Sequence, residues 1–145
     1  MKTIETTIKI NAPISSVWKV LMDHEDYPNW NPFIKEITGN SSVDSSITVS
    51  IQMEKEKAME FKPLILKNEE EKEFRWLGHL YVRGLFDGEH YFKLERESEN
   101  ETRFIHGEKF SGLMAGIIYT MIKEKTELGF NAMNQALKSE AEKNI

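Results

Sequence analysis

In the stretch Gly84–Phe92, GLFDGEHYF, every second residue falls on one face: Phe86, Gly88, His90 and Phe92. Asp87, Glu89 and Tyr91 fall on the other. A histidine thus sits among phenylalanines on an apolar face. If Glu97–Glu101 connects this strand to TRFIHGEKF, Arg96 pairs with Thr102, His90 faces Glu108 and Phe92 faces His106. If Tyr81–Leu85 is the preceding connector, Leu80 pairs with Phe86 and Trp76 faces His90. Both connectors have ordinary lengths. The result is a transverse row, Trp76, His90 and Glu108, pointing the same way as Phe74, Phe86, Phe92, Phe104 and Phe110. A shift of two residues would keep that face and change the partners.

Two chemistries fit this row. Glu108 could hold one tautomer of His90 while the other nitrogen faces a ligand, which permits general acid–base work such as enolisation. Alternatively, the two groups satisfy each other inside the sheet, as buried polar groups must. A metal set is conceivable, because His106 and Glu108 are two apart on one face and His90 adds a second imidazole. A hydrogen-bonded interior cluster is the simpler reading, so neither a metal site nor a catalytic residue is assigned. His79 lies on the opposite face from Trp76 and stays outside the cluster.

The elements that must position these groups follow from periodicity. Ile4, Thr6, Ile8 and Ile10 alternate with polar residues, which predicts a half-buried first strand. Pro13 suits the first turn of a helix carrying Ile14, Val17, Trp18 and Leu21. Trp18 reads as plain core. DHEDYPNWNP, with two prolines, breaks that helix. The strands FIKEITG, SSITVSIQM, MEFKPLILK and EKEFRWLGHL follow, with a bulge or sheet edge expected at Pro63. In the second of these, Ile47, Val49, Ile51 and Met53 share a face.

From Leu113 to about Ser139 no proline occurs and the pattern turns helical, predicting a helix roughly 40 Å long. Ala115, Tyr119, Ile122, Thr126, Phe130, Met133 and Leu137 form its continuous stripe. Gly129 within it costs about 1 kcal/mol against alanine, which close packing on the sheet or room for a ligand would explain. Leu113, Met114, Ile117, Ile118, Met121 and Ile122 make its first half apolar on most sides. A covering loop, a portal, a dimer contact or a transient membrane contact would account for this.

Short connectors favour antiparallel pairing, and one long helix must bury its stripe on the sheet. The expected fold is α+β: a curved antiparallel sheet of about seven strands around a long C-terminal helix, with two short helices after the first strand. One domain spans residues 1–145.

Composition limits the function. Hydrophobic residues make up 39% and charged residues 30%, and the formal net charge is −5. No basic stripe stands out, which argues against nucleic acid. The absence of cysteine excludes disulfides, thiolate zinc sites and cysteine nucleophiles. No apolar run reaches the roughly 18 residues of a membrane span, so no stable membrane insertion is expected. MKTIETTIKI is charged and alternating, unlike a signal peptide. A cytoplasmic monomer or weak homodimer without a cofactor is the expectation.

The segments NAPISSVWKVLMD, YPNWNPFI, FRWLG, GLFDGEHYF, HGEKFSGL and GFNAMNQALK, in this order, resemble the START-like (SRPBCC) superfamily. Within it they resemble the polyketide cyclase/dehydrase and lipid-transport group, from about residue 3 to residue 142. GNSSVDSSITV departs by lacking a glycine often found before the third strand. The resemblance implies a helix-grip fold with a deep cavity between sheet and helix, used by relatives for lipids, sterols, polyketides and other hydrophobic molecules. The ligand-binding set that the resemblance implies, taken from the strand face, the helix stripe and YPNWNPF, is Trp30, Phe33, Trp76, Phe86, His90, Phe92, Phe104, His106, Glu108, Phe110, Tyr119, Ile122, Thr126, Phe130 and Met133. For Trp30, Asn31 and Phe33 two roles stay open, a loop closing the cavity mouth or an aromatic plug. Tyr119 and Thr126 could turn their polar tips to a ligand or to backbone. The implied partner is a hydrophobic small molecule or lipid. A cyclase/dehydrase-type enzyme acting on a polyketide-like substrate is the alternative, and a chaperone-linked interaction module is more remote.

Overall fold

A computed structural model describes residues 1–53, 55–80 and 82–143. Strand β1 (Lys2–Ile10) buries Ile4 and Ile10 and exposes Glu5, Thr7 and Lys9, as its alternation requires. Pro13 caps α1 (Ile14–Met22) from just outside the first turn, its carbonyl accepting from the Val17 N–H at 3.2 Å. Val17, Trp18 and Leu21 face the core. A 3-10 turn (His24–Asp26) leads into α2 (Tyr27–Trp30).

Two antiparallel sheets follow. β2 (Ile34–Thr38), β3 (Thr48–Ile51) and β4 (Met59–Phe61) form a three-stranded sheet in that order. β5 (Leu64–Glu69), β6 (Glu73–Leu80), β7 (Phe86–Ser98) and β8 (Glu101–Ser111) join β1 in a five-stranded sheet ordered β1-β8-β7-β6-β5. The expectation of one strand through MEFKPLILK gives way to two, because the chain changes sheets at Pro63. Proline has no N–H for a ladder. Its carbonyl instead accepts from Ile47 at 3.1 Å. Ser46 bridges to Leu64, and the Ile65 N–H reaches the Ser45 carbonyl at 2.9 Å. The segment leading into β3 thereby ties the two sheets together.

The register of the large sheet matches the sequence reading: Trp76 opposite His90, His90 opposite Glu108, Phe92 opposite His106. The β7–β8 connector does not span Glu97–Glu101. Both strands run on to leave a turn at Glu99–Asn100, and an irregularity between Arg96 and Ser98 absorbs the difference. Tyr81, at the start of the other expected connector, lies outside the described residues, as do Glu54, Asn144 and Ile145.

Helix α3 (Ala115–Glu142) starts two residues later than expected and runs about a turn further. Gly112 turns the chain into it at φ +112°, where an added Cβ would collide with the Leu85 backbone carbonyl. The Leu113 and Met114 N–H groups bond the Gly84 and Leu85 carbonyls at 3.0 and 2.9 Å. Thr126, Phe130, Met133, Asn134 and Leu137 are buried along β1 and β8, while Leu113, Ile117 and Met121 face outward.

Candidate functional site

The inner face of β6, β7 and β8 carries an aromatic layer with two histidines inside it. The Trp76 indole stacks on the His90 imidazole, centroids 5.0 Å apart and planes 24° apart. Phe130 of α3 lies parallel to His106 with centroids 3.9 Å apart. His90 is 1% exposed and His106 fully buried.

These rings belong to one hydrogen-bonded chain. The two Nε2 atoms are 2.8 Å apart. Cross-strand register sets His90 against Glu108, yet its nearest polar partner is the diagonal neighbour, which long side chains reach across a sheet. His106 Nδ1 lies 2.9 Å from Asn134 Oδ1. Asn134 Nδ2 donates to Thr6 Oγ1 at 2.8 Å, and that hydroxyl donates to the His106 carbonyl at 3.2 Å. Burial pushes the His106 imidazole well below its usual 6.5, and the neighbouring His90 acts in the same direction. At the other end, His90 Nδ1 stands 3.5 Å from Glu108 Oε1. It is buried and, among the described residues, makes no hydrogen bond. Thus His106, rather than Glu108, holds the His90 ring through its short contact.

Glu108 opens onto a cavity of about 170 Å³. Its floor is the sheet, with Trp76, His90, Phe86, Glu108 and Phe110. Its roof is the first half of α3, with Ile118, Ile122 and Thr126. A side wall comes from the β3–β4 hairpin, through Val49, Ile51, Met53, Met59 and Phe61, and Phe33 closes the inner end. At the rim Lys125 pairs with Glu56 at 3.0 Å. Gly78 and Gly88 face each other across β6 and β7 and hollow the floor. A Cβ at Gly88 would strike the Glu108 carboxylate, so that glycine is what lets the carboxylate lie flat on the sheet. Thr126 Oγ1 is also buried without a hydrogen-bond partner among the described residues.

Of the residues expected from sequence, Phe33, Trp76, Phe86, His90, Glu108, Phe110, Ile122 and Thr126 line this cavity. Phe92, Phe104, His106, Phe130 and Met133 sit instead in solid core beyond Phe33. The partition exists because Phe33 presses on α3 at Gly129, where a Cβ would strike its ring. Gly129 therefore serves packing against the segment before β2, not against the sheet. Asn31 fixes Phe33 there, its Oδ1 accepting from the Phe33 and Ile34 N–H groups at 2.9 Å each. Trp30 leans on Tyr27 outside the wall, and Tyr119 packs near Phe110 beneath the Lys2 ammonium. His79 turns away to Asp87 at 2.7 Å. Among the described residues no group of three or more histidine, aspartate or glutamate side chains could hold a metal ion. Asn134 and Thr6 were missed, although an asparagine four residues after Phe130 on a buried stripe was the available signal. The hairpin wall was missed too, although the alternation Val49, Ile51, Met53 marked an apolar face.

A family model described as polyketide cyclase / dehydrase and lipid transport matches residues 1–142. No curated protein matches the sequence. Among solved structures, the Zhui aromatase/cyclase from Streptomyces sp. R1128 superposes with a TM-score of 0.78 at 15% identity, covering 97% of this chain and 93% of that one. Norcoclaurine synthase of Thalictrum flavum, a point mutant in complex with a transition-state analogue, gives 0.72 at 14% identity, covering 97% and 93%. A START superfamily protein from Mycobacterium smegmatis gives 0.70 at 14% identity, covering 94% and 97%. At these identities the likeness concerns the fold.

Proposed function

The chain belongs to the polyketide cyclase / dehydrase and lipid transport family, and from that premise we propose that it binds a hydrophobic or lipid-like small molecule between sheet and α3. The observation that carries this reading is an apolar cavity lined by His90 and Thr126, whose Nδ1 and Oγ1 atoms are buried without a hydrogen-bond partner among the described residues. Ligand sites are typically apolar with a few placed polar groups. The contact set is Phe33, Trp76, Phe86, His90, Glu108, Phe110, Ile122 and Thr126. The volume of about 170 Å³ is close to cavities of ~150 Å³ that hold one benzene ring. The enclosed part thus suits a single ring or a short aliphatic segment, with the rest of a larger ligand passing the Glu56–Lys125 rim.

Native mass spectrometry of the freshly purified protein tests this. The expected result is a carried apolar molecule, lost in Gly78→Val. A Cβ at Gly78 meets nothing closer than Pro63 at 3.7 Å, so the backbone tolerates a side chain there, and the valine methyls take space from the cavity that Gly78 lines. Absence of any carried molecule, with no uptake of added fatty acid or small aromatics, sinks the reading.

A second reading, a cyclase/dehydrase-type enzyme, draws on the His90–Glu108 pair beside the cavity. A carboxylate at 3.5 Å would stabilise an imidazolium formed when His90 takes a proton. Chemical change in a bound polyketide-like substrate, abolished by His90→Phe, would separate catalysis from carriage.

A further inference from the structure

His90 lines the cavity beside Glu108, and the state of its Nδ1, the nitrogen nearer that carboxylate, is decided at α3. His106 Nδ1 faces Asn134 Oδ1 at 2.9 Å. That amide oxygen accepts hydrogen bonds. The Asn134 orientation is fixed independently, because its Nδ2 donates to Thr6 Oγ1, whose own proton goes to the His106 carbonyl. His106 Nδ1 therefore carries the ring proton. Burial keeps this imidazole neutral, which leaves a lone pair on its Nε2. His90 Nε2, 2.8 Å away, must then donate. A neutral His90 has its lone pair on Nδ1, buried and facing Glu108 Oε1 at 3.5 Å. An ionised carboxylate only accepts. Two acceptors thus converge beside an apolar cavity, whose roof carries the Thr126 hydroxyl, also without a hydrogen-bond partner among the described residues.

We infer that the cavity selects an apolar ligand carrying a hydroxyl, phenolic or alcoholic, which donates its hydrogen bond to His90 Nδ1 in a tautomer set through His106 and Asn134. This rests on the reading of the cavity as a ligand site and adds the ligand's polarity. A purely acceptor-bearing ligand, such as an ether, would bring a third acceptor beside His90 Nδ1 and Glu108 and would have to turn to the Thr126 hydroxyl for a donor. A site built to bond a particular proton discriminates strongly against analogues that lack it. The roles of the chain are separate: His90 touches the ligand, whereas His106 and Asn134 are positioning residues.

Three one-ring probes test this: p-cresol, 4-methylanisole and toluene, titrated against the whole chain and followed by NMR. 4-Methylanisole keeps the ring and the oxygen of p-cresol and lacks its proton. The expected result is p-cresol binding about tenfold tighter than 4-methylanisole, the worth of one buried hydrogen bond. In His106→Leu, His90 is free to carry its proton on Nδ1 toward Glu108, and the preference falls to near unity while toluene affinity holds. Imidazole ¹⁵N shifts of the unaltered protein at neutral pH, which need no variant to fold, should show His90 protonated on Nε2 and His106 on Nδ1. A proton on His90 Nδ1, or equal affinity for p-cresol and 4-methylanisole, overturns the inference and leaves the ligand site standing. Binding of none of the three probes, toluene included, overturns the ligand site and the inference with it.

Discussion

At the scale of single residues, the buried histidines make stability depend on pH. Burial lowers His24 to about 4 and holds His106 well below 6.5. Both are neutral in the folded chain and become charged in the unfolded chain below about pH 6.5. The unfolded state then binds more protons, so stability rises with pH. The contribution is complete above about pH 6.5 and is lost as pH falls toward 4 through His24, and further through His106. Urea midpoints at pH 7.5 and pH 5 should show the protein weaker at the lower pH, with a shallower fall in His24→Phe. Asn134→Leu leaves His106 Nδ1 and Thr6 without their shared partner and should cost roughly 1–3 kcal/mol in the same assay. An unchanged midpoint would mean that the chain through Asn134 contributes nothing to the fold. The His90–Glu108 pairing was legible in the sequence from strand alternation and a connector centred near Glu99, the irregularity after Arg96 offsetting the shorter turn. The His90–His106 contact was not legible. It depends on ring rotation and on where Asn134 lands, which spacing along a strand does not determine.

At the scale of elements, α3 is set by what touches it. Gly129→Ala would ordinarily gain about 1 kcal/mol of helix propensity. Here the added methyl meets the Phe33 ring, so a loss of roughly 1–3 kcal/mol is expected, with Phe33 displaced toward the cavity. Thermal unfolding gives the sign, and a gain in midpoint would refute the Phe33 contact. The outer face of the sheet holds a matching case. Gly107 leaves space for the Tyr91 ring, whose hydroxyl donates to Glu5 at 2.6 Å, with Arg75 above the ring at 4.6 Å. The helix and strands were legible from their periods of 3.6 and 2. The turn at Glu99–Asn100 was shorter than expected from its polar run, yet the irregularity after Arg96 preserved the pairing. Polar composition marks a connector but does not say how far the ladders extend into it.

At the scale of the whole molecule, the protein is a small sheet leaning on a large one, with α3 along the inner face of the latter. The β3–β4 hairpin is tied to β5 near Pro63 and meets α3 at the exposed Glu56–Lys125 pair. Such exposed pairs are worth about 0–1 kcal/mol. Lys125→Ala should therefore leave the unfolding midpoint nearly unchanged while hastening ligand release, read by stopped-flow displacement. An unchanged release rate would remove the pair from the exit path. The helix-grip architecture was legible from element order. The division into filled core and hollow was not, since it turns on the single contact between Phe33 and Gly129.

The change of sheets at Pro63 also divides responsibility for the cavity. Its polar end is built by β7, β8 and α3, while much of its apolar wall is built by a hairpin outside the large sheet. Val49, Ile51, Met59 and Phe61 can therefore be exchanged without touching any atom of the histidine chain. For the proposed ligand site, capacity and chemical preference would then be separately adjustable: the hairpin would set how large a guest fits, and the rest which end of it goes in first.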